Sequence, residues 1–348
     1  MYDELVLHLG FHKTGSTSIQ KTCFKNGRVL ADNGWVYPRL KLSGKSFSNH
    51  SRFLFSLFSE SSDSYLPNVK DGRPLGVINA EIAKSVSSGV AEGRSVGKKL
   101  LISGEDISRL SSKELLKLRS FAESHARAVR VLVYVRPPWS YFNSAVQQRV
   151  KAGKTLDGCR YQSVIQKIEC IQAAFPYAEF YPFQVACGHS SGVVGHFLGL
   201  LGVDNLSEFE IVGSNAAVSG EAVRLMSYLN AREPRLINGR LNPDWEGLAF
   251  SILKKFPGSR FRISARDKVS NTEWISEDNK WLKENMGIEF CDADIVGFRE
   301  TFPNSLNREQ YCWLKKVFKS LPDRTKILTL GYLKENSRIS DSQILSLL

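Results

Sequence analysis

The sequence predicts an α/β fold in which helices cover both faces of a parallel sheet, giving three layers, followed by a mostly helical C-terminal extension. Two observations carry this prediction. In the first half of the chain, short apolar runs alternate with longer segments of helical period, an order of elements that is typical of parallel sheets. After about residue 213 the apolar positions recur mainly with helical period.

Four apolar runs in the first half predict strands. The strongest is Val129 to Val135, in which β-branched residues recur along the whole run. The other three are Leu5 to Leu9, Leu100 to Ser103 and Phe180-Tyr181.

A helix from about Ser16 to Asp32 is expected after the strand Leu5 to Leu9, and a helix from Pro137 to about Val150 after the strand Val129 to Val135. A third helix, Val193 to Leu201, is expected after Phe180-Tyr181. Pro137 suits a helix start, because the first helical turn does not need the N–H that proline lacks. The segment Pro38 to Asn49 is expected to be a long loop.

The last third of the chain predicts further helices and a basic loop. The helices are expected at Ser219 to Ala231, Pro243 to Phe256, Ser270 to Met286 and Asn307 to Ser320. The loop Gly258 to Lys268 has four cationic side chains in eleven residues and could recruit an anionic group, although such clusters are usually solvated surface. We expect one domain, with an α/β core over residues 1–215 and a helical extension over residues 216–348 packed on it.

Composition excludes several classes of protein. The 348 residues are 42% hydrophobic and 24% charged, which is ordinary for a globular chain and excludes a disordered, fibrous or coiled-coil protein. The net charge of +12 favours a polyanionic partner, such as nucleic acid, acidic lipid, nucleotide or anionic glycan. Six cysteines without a C-x-x-C pair indicate reduced thiols and no zinc site. No signal peptide and no apolar run of about 18 residues is visible, so we expect a cytoplasmic protein without a transmembrane segment.

A glycine- and hydroxyl-rich segment follows the first predicted strand. It reads Gly10-Phe11-His12-Lys13-Thr14-Gly15-Ser16-Thr17-Ser18. Gly10, Gly15 and Thr17 match the P-loop frame G-x-x-x-x-G-K-[ST], but Ser16 stands at the lysine position and Lys13 lies inside the loop. Backbone N–H groups of such a loop, with the positive end of a helix behind them, form an anion cradle. The alternative interpretation is a turn before a helix that Ser16 or Thr17 caps.

A second candidate anion site follows the strongest strand. Arg136 comes directly after Val135, at the carboxyl edge where open α/β sheets bind ligands. Ser144 lies eight residues later, within the next predicted helix. A guanidinium and a hydroxyl that converge on one phosphate would form a compact anion site.

Together the two motifs resemble the nucleotide site of the sulfotransferases that use 3′-phosphoadenosine 5′-phosphosulfate (PAPS). In that family a motif K-[ST]-G-[ST]-[ST] binds the 5′-phosphosulfate, and a later R-x-x-x-x-x-x-x-S binds the 3′-phosphate. The matching residues here are Lys13, Thr14, Gly15, Ser16, Thr17 and Ser18, followed by Arg136 and Ser144. Weaker similarity to bacterial and carbohydrate members extends over Asn33 to Pro38, Phe197 to Gly202, Asn215 and Ser219-x-Glu221.

The resemblance implies a P-loop-like sulfotransferase fold and transfer of a sulfuryl group from PAPS to a hydroxyl, on a carbohydrate or glycolipid acceptor. Lys13 would stabilise the charge that builds on the bridging oxygen as the 5′-phosphate leaves. No metal ion is required. The acceptor could lie at a membrane surface, whereas no nucleic-acid-binding motif is visible.

Two residues are candidates for the general base that takes the acceptor proton. Glu105 follows the strand Leu100 to Ser103 and could point into the cleft, or it could serve as an N-cap or first-turn acid of the next helix. His50 follows the loop Pro38 to Asn49, and an unshifted pKa would suit a base, although it could instead be a surface or capping histidine. His8, within the first strand, is expected in the core.

Two other functions are compatible with parts of the sequence. A P-loop kinase of small metabolites would need Mg²⁺ and a lysine at the position of Ser16. A non-catalytic polyanion-binding protein would account for the net charge, but not for two anion motifs at the ends of two predicted strands.

Overall fold

The structure is a computed structural model that describes residues 1–11, 13–203, 205–213, 218–238, 240–263, 271–290, 306–336 and 339–347. Some features named above lie outside these residues. They are His12, Asn215, the part of the basic loop beyond residue 263, and the expected helix start at Ser270.

A five-stranded parallel sheet forms the centre of the α/β part. The strands of the described residues are β1 (Tyr2–Leu9), β2 (Trp35–Val36), β3 (Leu40–Leu42), β4 (Lys45–Phe47), β5 (Lys99–Gly104), β6 (Ala126–Val135), β7 (Glu179–Pro182), β8 (Leu236–Ile237) and β9 (Arg240–Leu241). The sheet has the order β2-β5-β1-β6-β7, with every pair parallel. The predicted α/β class is confirmed, as are the four strands expected from the sequence.

Helices follow most strands of the sheet and dominate the C-terminal part. Their bounds are α1 (Ser16–Lys25), α2 (Gly27–Asp32), α3 (Ser51–Phe58), α4 (Leu66–Asp71), α5 (Leu75–Gly93), α6 (Ser112–His125), α7 (Pro138–Lys151), α8 (Ile165–Ala174), α9 (Phe183–Cys187), α10 (Gly192–Leu200), α11 (Gly220–Arg232), α12 (Pro243–Glu246), α13 (Phe250–Leu253), α14 (Thr272–Met286), α15 (Arg308–Val317), α16 (Asp323–Glu335) and α17 (Asp341–Leu347). None of these is long and apolar enough to cross a membrane.

Both faces of the sheet are covered. Accordingly, its central strand β1 is buried at every position from residue 5 to residue 9. On one face, Val6 and Leu132 pack with Ile19 of α1 and Phe197 of α10 in one apolar cluster. On the other face, α6 lies against β1 and β6, and α3 lies against β5. Burial on both faces removes the polar alternation from these strands, which is why β1 and β6 appear as continuous apolar runs in the sequence.

The described residues form two compact units. The first comprises residues of Met1–Pro138, Ser163–Ser214 and Asp278–Phe290 and contains the whole sheet. The second comprises residues of Trp139–Gln162, Asn215–Glu277 and Cys291–Leu348 and is mostly helical, with the short hairpin β8–β9. A single domain with a core over 1–215 and an extension over 216–348 stays a prediction.

The helix expected over Ser16 to Asp32 is two helices, α1 and α2, separated at Asn26. The Asn26 side-chain amide donates hydrogen bonds to the carbonyl oxygens of Thr22 and Glu210, at 2.8 and 3.0 Å. Asparagine competes in this way for backbone groups that would otherwise continue the helix.

The segment expected as a loop from Pro38 to Asn49 contains the hairpin β3–β4. Its turn residues Ser43 and Gly44 have φ values of 51° and 74°. Two successive residues with positive φ give a turn whose twist matches that of paired strands. The helix expected from Pro243 to Phe256 is likewise two short helices, α12 and α13, interrupted near Ala249 with φ of 35°.

Candidate active site

The loop between β1 and α1 has the backbone shape of an anion cradle. Lys13 and Gly15 have φ values of 70° and 77°, in the left-handed region. Gly15 is the residue before the helix, and its carbonyl accepts hydrogen bonds from the N–H groups of Ser18 and Ile19, at 2.9 and 3.2 Å. Since glycine has no capping side chain, the first N–H groups of α1 are open to an external acceptor.

Both glycines of the motif lie where a side chain would clash. A Cβ atom on Gly10 would lie 2.1 Å from Oγ of Ser16, and one on Gly15 would lie 2.6 Å from a methyl carbon of Val193. Ser16 is 1% exposed, and its Oγ has no hydrogen-bond partner among the described residues. A buried hydroxyl without a partner is unfavourable, and an anion bound in the loop would supply the missing acceptor.

The other hydroxyls of the motif differ in their surroundings. Thr14 is completely buried, and its hydroxyl donates to the carbonyl oxygen of Phe11 at 2.7 Å, so it shapes the loop. Ser18 is buried in the first turn of α1, whereas Thr17 is half-buried. Thr17, which is half-buried, and Ser16, whose Oγ lacks a partner among the described residues, are the hydroxyls of this motif best placed to meet a ligand.

The structure brings Arg136 to this loop. Arg136 follows the last residue of β6, the neighbour of β1, and its Nη1 donates a hydrogen bond to the carbonyl oxygen of Lys13 at 2.9 Å. The guanidinium carbon also lies 5.6 Å from the centroid of the Phe183 ring at the start of α9. Lys13 and Arg136, which lie more than a hundred residues apart in the sequence, therefore meet at the carboxyl edge of β1 and β6.

Glu105 reaches the same edge from the other side of β1. It follows the last residue of β5 and is half-buried. A Cβ atom built on Gly10 would lie 3.6 Å from Cγ of Glu105, so this side chain runs alongside the start of the loop. The ends of three adjacent strands thus place Glu105, the loop and Arg136 side by side.

Lys13 carries a perturbed ammonium group within this arrangement. Its side chain is largely exposed, but partial desolvation beside the loop lowers its pKa below the usual value, and the positive charge of Arg136 lowers it further. The charge of Glu105 opposes both effects and raises the pKa. A lysine whose pKa is lowered is a stronger hydrogen-bond and proton donor to a developing oxyanion.

His50 lies in a different environment from the one that the sequence suggested. It is completely buried, its Nε2 donates to the carbonyl oxygen of Pro38 at 3.0 Å, and its Nδ1 accepts from the N–H of Ser103 at 3.3 Å. The Tyr37 ring stacks on it with centroids 4.4 Å apart. Burial lowers the pKa of His50 to about 4, so the expectation of an unshifted pKa is wrong. Its role as a base stays a prediction.

A buried polar layer lies beneath the loop, and the sequence reasoning missed two of its members. Oγ of Ser103 hydrogen-bonds Nδ1 of His8 at 2.8 Å and accepts from Nε2 of Gln20 at 3.2 Å. His8 is in the core, as expected, and burial lowers its pKa to about 3. Two sequence features could have indicated them: Ser103 is a polar residue inside an apolar strand, and Gln20 is a polar residue on the buried face of α1.

Ser144 belongs to the second compact unit, separate from the unit that holds Arg136. It lies in α7, six residues after the first residue of that helix, and is 8% exposed. Its convergence with Arg136 on one phosphate stays a prediction.

Within the part of the chain that the structure describes, no group of three or more His, Cys, Asp or Glu side chains is arranged to hold a metal ion. The described residues at this edge of the sheet are a loop with the shape of an anion cradle, two cationic side chains, Lys13 and Arg136, and one carboxylate, Glu105.

Neither a protein-family model nor a curated protein sequence matches this chain. A solved sulfotransferase from Alicyclobacillus acidocaldarius superposes with a TM-score of 0.39 and 10% identity, over 82% of this chain and 96% of that chain. A structure from the PezAT chromosomal toxin–antitoxin system of Streptococcus pneumoniae superposes with a TM-score of 0.25 and 14% identity, over 58% of this chain and 66% of that one. Similarities of this size establish neither a family nor an activity.

The two buried histidines predict an acid-sensitive fold. Because burial holds the pKa of His50 at about 4 and that of His8 at about 3, the unfolded chain binds more protons below pH ~6.5. The free energy of unfolding should therefore fall with decreasing pH, by about 1.4 kcal/mol per pH unit for each histidine. His50→Gln should remove one such contribution, measured by urea unfolding between about pH 7 and pH 5.

The control for this measurement is His189→Gln, at an exposed histidine, which should keep the wild-type slope. A wild-type slope in His50→Gln would contradict the buried, neutral state assigned to His50.

Proposed function

We propose that this chain is a sulfotransferase that moves a sulfuryl group from PAPS to a hydroxyl of a carbohydrate or glycolipid acceptor. The observation that carries the proposal is the hydrogen bond from Arg136 to the carbonyl oxygen of Lys13. It brings Arg136 beside the loop of Lys13 at one edge of the sheet, which is compatible with a nucleotide that carries phosphate groups on the 3′ and 5′ positions of one ribose. The motifs are those that resemble the PAPS site of the sulfotransferases.

The loop supplies the groups that hold the phosphosulfate. The first N–H groups of α1, behind Gly15, present positive partial charge. The Ser16 hydroxyl offers a buried donor that lacks a partner among the described residues. Arg136 would take the 3′-phosphate, since a guanidinium binds phosphate with two parallel hydrogen bonds.

In the transfer step the acceptor hydroxyl oxygen forms a bond to sulfur while the bond from sulfur to the 5′-phosphate oxygen breaks. The acceptor proton passes to a base, and the products are the sulfate ester and adenosine 3′,5′-bisphosphate. Lys13 would stabilise the negative charge that appears on the departing oxygen, and its lowered pKa strengthens that interaction.

Glu105 is the candidate base that the described geometry favours. Its side chain runs alongside Gly10 and its charge acts on Lys13, whereas both ring nitrogens of His50 are engaged within the core. A carboxylate at this position could accept the acceptor proton within hydrogen-bond reach of the transferred group. The carbohydrate nature of the acceptor rests on the sequence resemblance.

Lys13→Ala and Arg136→Ala should separate transfer from binding. Lys13→Ala should lower kcat by about 100-fold or more, since it removes a charge that acts mainly in the transition state. Its Kd for adenosine 3′,5′-bisphosphate should change little. Arg136→Ala should instead raise that Kd by about 10- to 100-fold, because it removes charge-assisted hydrogen bonds to the bisphosphate. Calorimetry and transfer of labelled sulfate from PAPS to a panel of carbohydrates measure the two effects.

The matched control is Lys21→Ala, which removes one exposed positive charge of α1. It should leave kcat and Kd near the wild-type values. Equal losses of binding and transfer in both Lys13→Ala and Arg136→Ala would contradict the separate roles.

Glu105→Gln should lower kcat by about 100-fold or more and remove the acidic limb of the pH–rate profile, with the bisphosphate Kd unchanged. Glu92→Gln, at an exposed carboxylate of α5, is the control and should behave like the wild type. If His50→Gln abolishes the acidic limb and Glu105→Gln retains it, the assignment of the base to Glu105 is wrong.

A further inference from the structure

The hairpin β8–β9 exposes three large aliphatic side chains together. Leu236 pairs with Leu241, and Ile237 pairs with Arg240. Leu236, Ile237 and Leu241 are exposed by 50%, 50% and 51% of their surface. Because paired residues of a hairpin lie on the same face, the two leucines form one apolar face, with Ile237 and Arg240 on the other. Single exposed apolar residues are common, but contiguous ones mark an interaction surface.

The base of the hairpin is held by hydrogen bonds. The N–H of Asn242 donates to the carbonyl oxygen of Arg235 at 2.9 Å, and its side-chain amide donates to that of Pro234 at 3.0 Å. Nη1 of Arg235 donates to the carbonyl oxygen of Ala152 at 3.0 Å. The apolar side chains therefore project from a fixed base within the second compact unit.

An aromatic cluster lies next to this base. The Arg235 guanidinium lies 4.8 Å from the Trp245 ring centroid, and Nε1 of Trp245 donates to Oδ1 of Asn230 at 2.8 Å. Phe250 of α13 packs on Trp245 with ring centroids 5.1 Å apart. These contacts place α13, and the lysines that follow it in the sequence, near the base of the hairpin.

The charge of this region favours an anionic partner. Residues 232–262 contain seven Lys and Arg against three Asp and Glu, a net charge of +4. Two of these charges are paired with residues outside the range, Glu233 with Arg324 and Arg232 with Glu335, so the other residues of the range keep the net charge of +4. Arg240, Lys254 and Lys255 are exposed.

We propose that this hairpin inserts edge-on into an anionic lipid bilayer, so that Leu236 and Leu241 on one face and Ile237 on the other all lie at the boundary between headgroups and acyl chains. Exposed aliphatic side chains gain by leaving water for that boundary, and exposed cations gain from anionic headgroups. A second copy of the chain is a weaker occupant, because strands of two residues each bury far less area than the roughly 800 Å² per partner of a stable interface. The proposal does not depend on the sulfotransferase activity.

The test is co-sedimentation of the full chain with vesicles of phosphatidylcholine alone and of phosphatidylcholine with phosphatidylglycerol. The wild type should bind the anionic vesicles. The triple variant Leu236→Ser, Ile237→Ser, Leu241→Ser should bind them about 100-fold more weakly. Arg240→Glu should weaken binding to the anionic vesicles by about tenfold.

A matched triple variant, Val69→Ser, Val77→Ser, Leu116→Ser, removes side chains of similar exposure from the first unit, at 58%, 53% and 47%. It should bind like the wild type, and all variants should retain the wild-type melting temperature. Failure of the wild type to bind anionic vesicles would overturn the proposal, as would equal binding by the hairpin variant. Self-association in sedimentation velocity that the hairpin variant abolishes, without vesicle binding, would identify the hairpin as an interface between copies.

Discussion

The hydrogen bond from Arg136 to the carbonyl oxygen of Lys13 is the contact on which the candidate site depends. Lys13 has a left-handed backbone, which is unfavourable for a residue with a side chain, so the loop needs external support. Arg136 gives that support from the end of β6 and lies against Phe183. Under the proposed function, the arginine that would bind a phosphate also holds the backbone of the lysine that would stabilise the leaving group. The proposal therefore couples ligand binding to loop shape through one side chain.

Beneath the loop, the buried hydroxyl of Ser103 links β5 to His8 of β1 and Gln20 of α1. The adjacent N–H of Ser103 donates to His50, which in turn donates to the carbonyl of Pro38. Because buried polar groups require partners, this layer fixes the position of the strand end that carries Glu105. Its neutrality depends on burial, which keeps the pKa values of both histidines low.

The sheet could be predicted because β1 and β6 are long, mostly apolar over their C-terminal halves and followed by motifs. The meeting of Lys13 and Arg136 could be anticipated only as far as both follow strands of one sheet. The burial and lowered pKa of His50 could not be predicted, because its Nδ1 accepts a hydrogen bond from the N–H of Ser103, 53 residues away in the sequence. Ser43-Gly44 forms a hairpin turn where a loop was expected, because two successive residues with positive φ suit paired strands. The capping box of Ser111 with Glu114 marks the start of α6, which the spacing of apolar residues alone did not predict.

The identity of the nucleotide tests the central claim most directly. Thermal unfolding of the full chain should be compared with adenosine 3′,5′-bisphosphate, with adenosine 5′-monophosphate and with ATP plus Mg²⁺. At a hundredfold excess over Kd, a ligand stabilises the fold by about 2.7 kcal/mol. The account predicts a clear rise in melting temperature with the bisphosphate and a smaller one with the monophosphate, which lacks the 3′-phosphate. Stabilisation by ATP and Mg²⁺ without any by the bisphosphate would contradict it and favour a kinase.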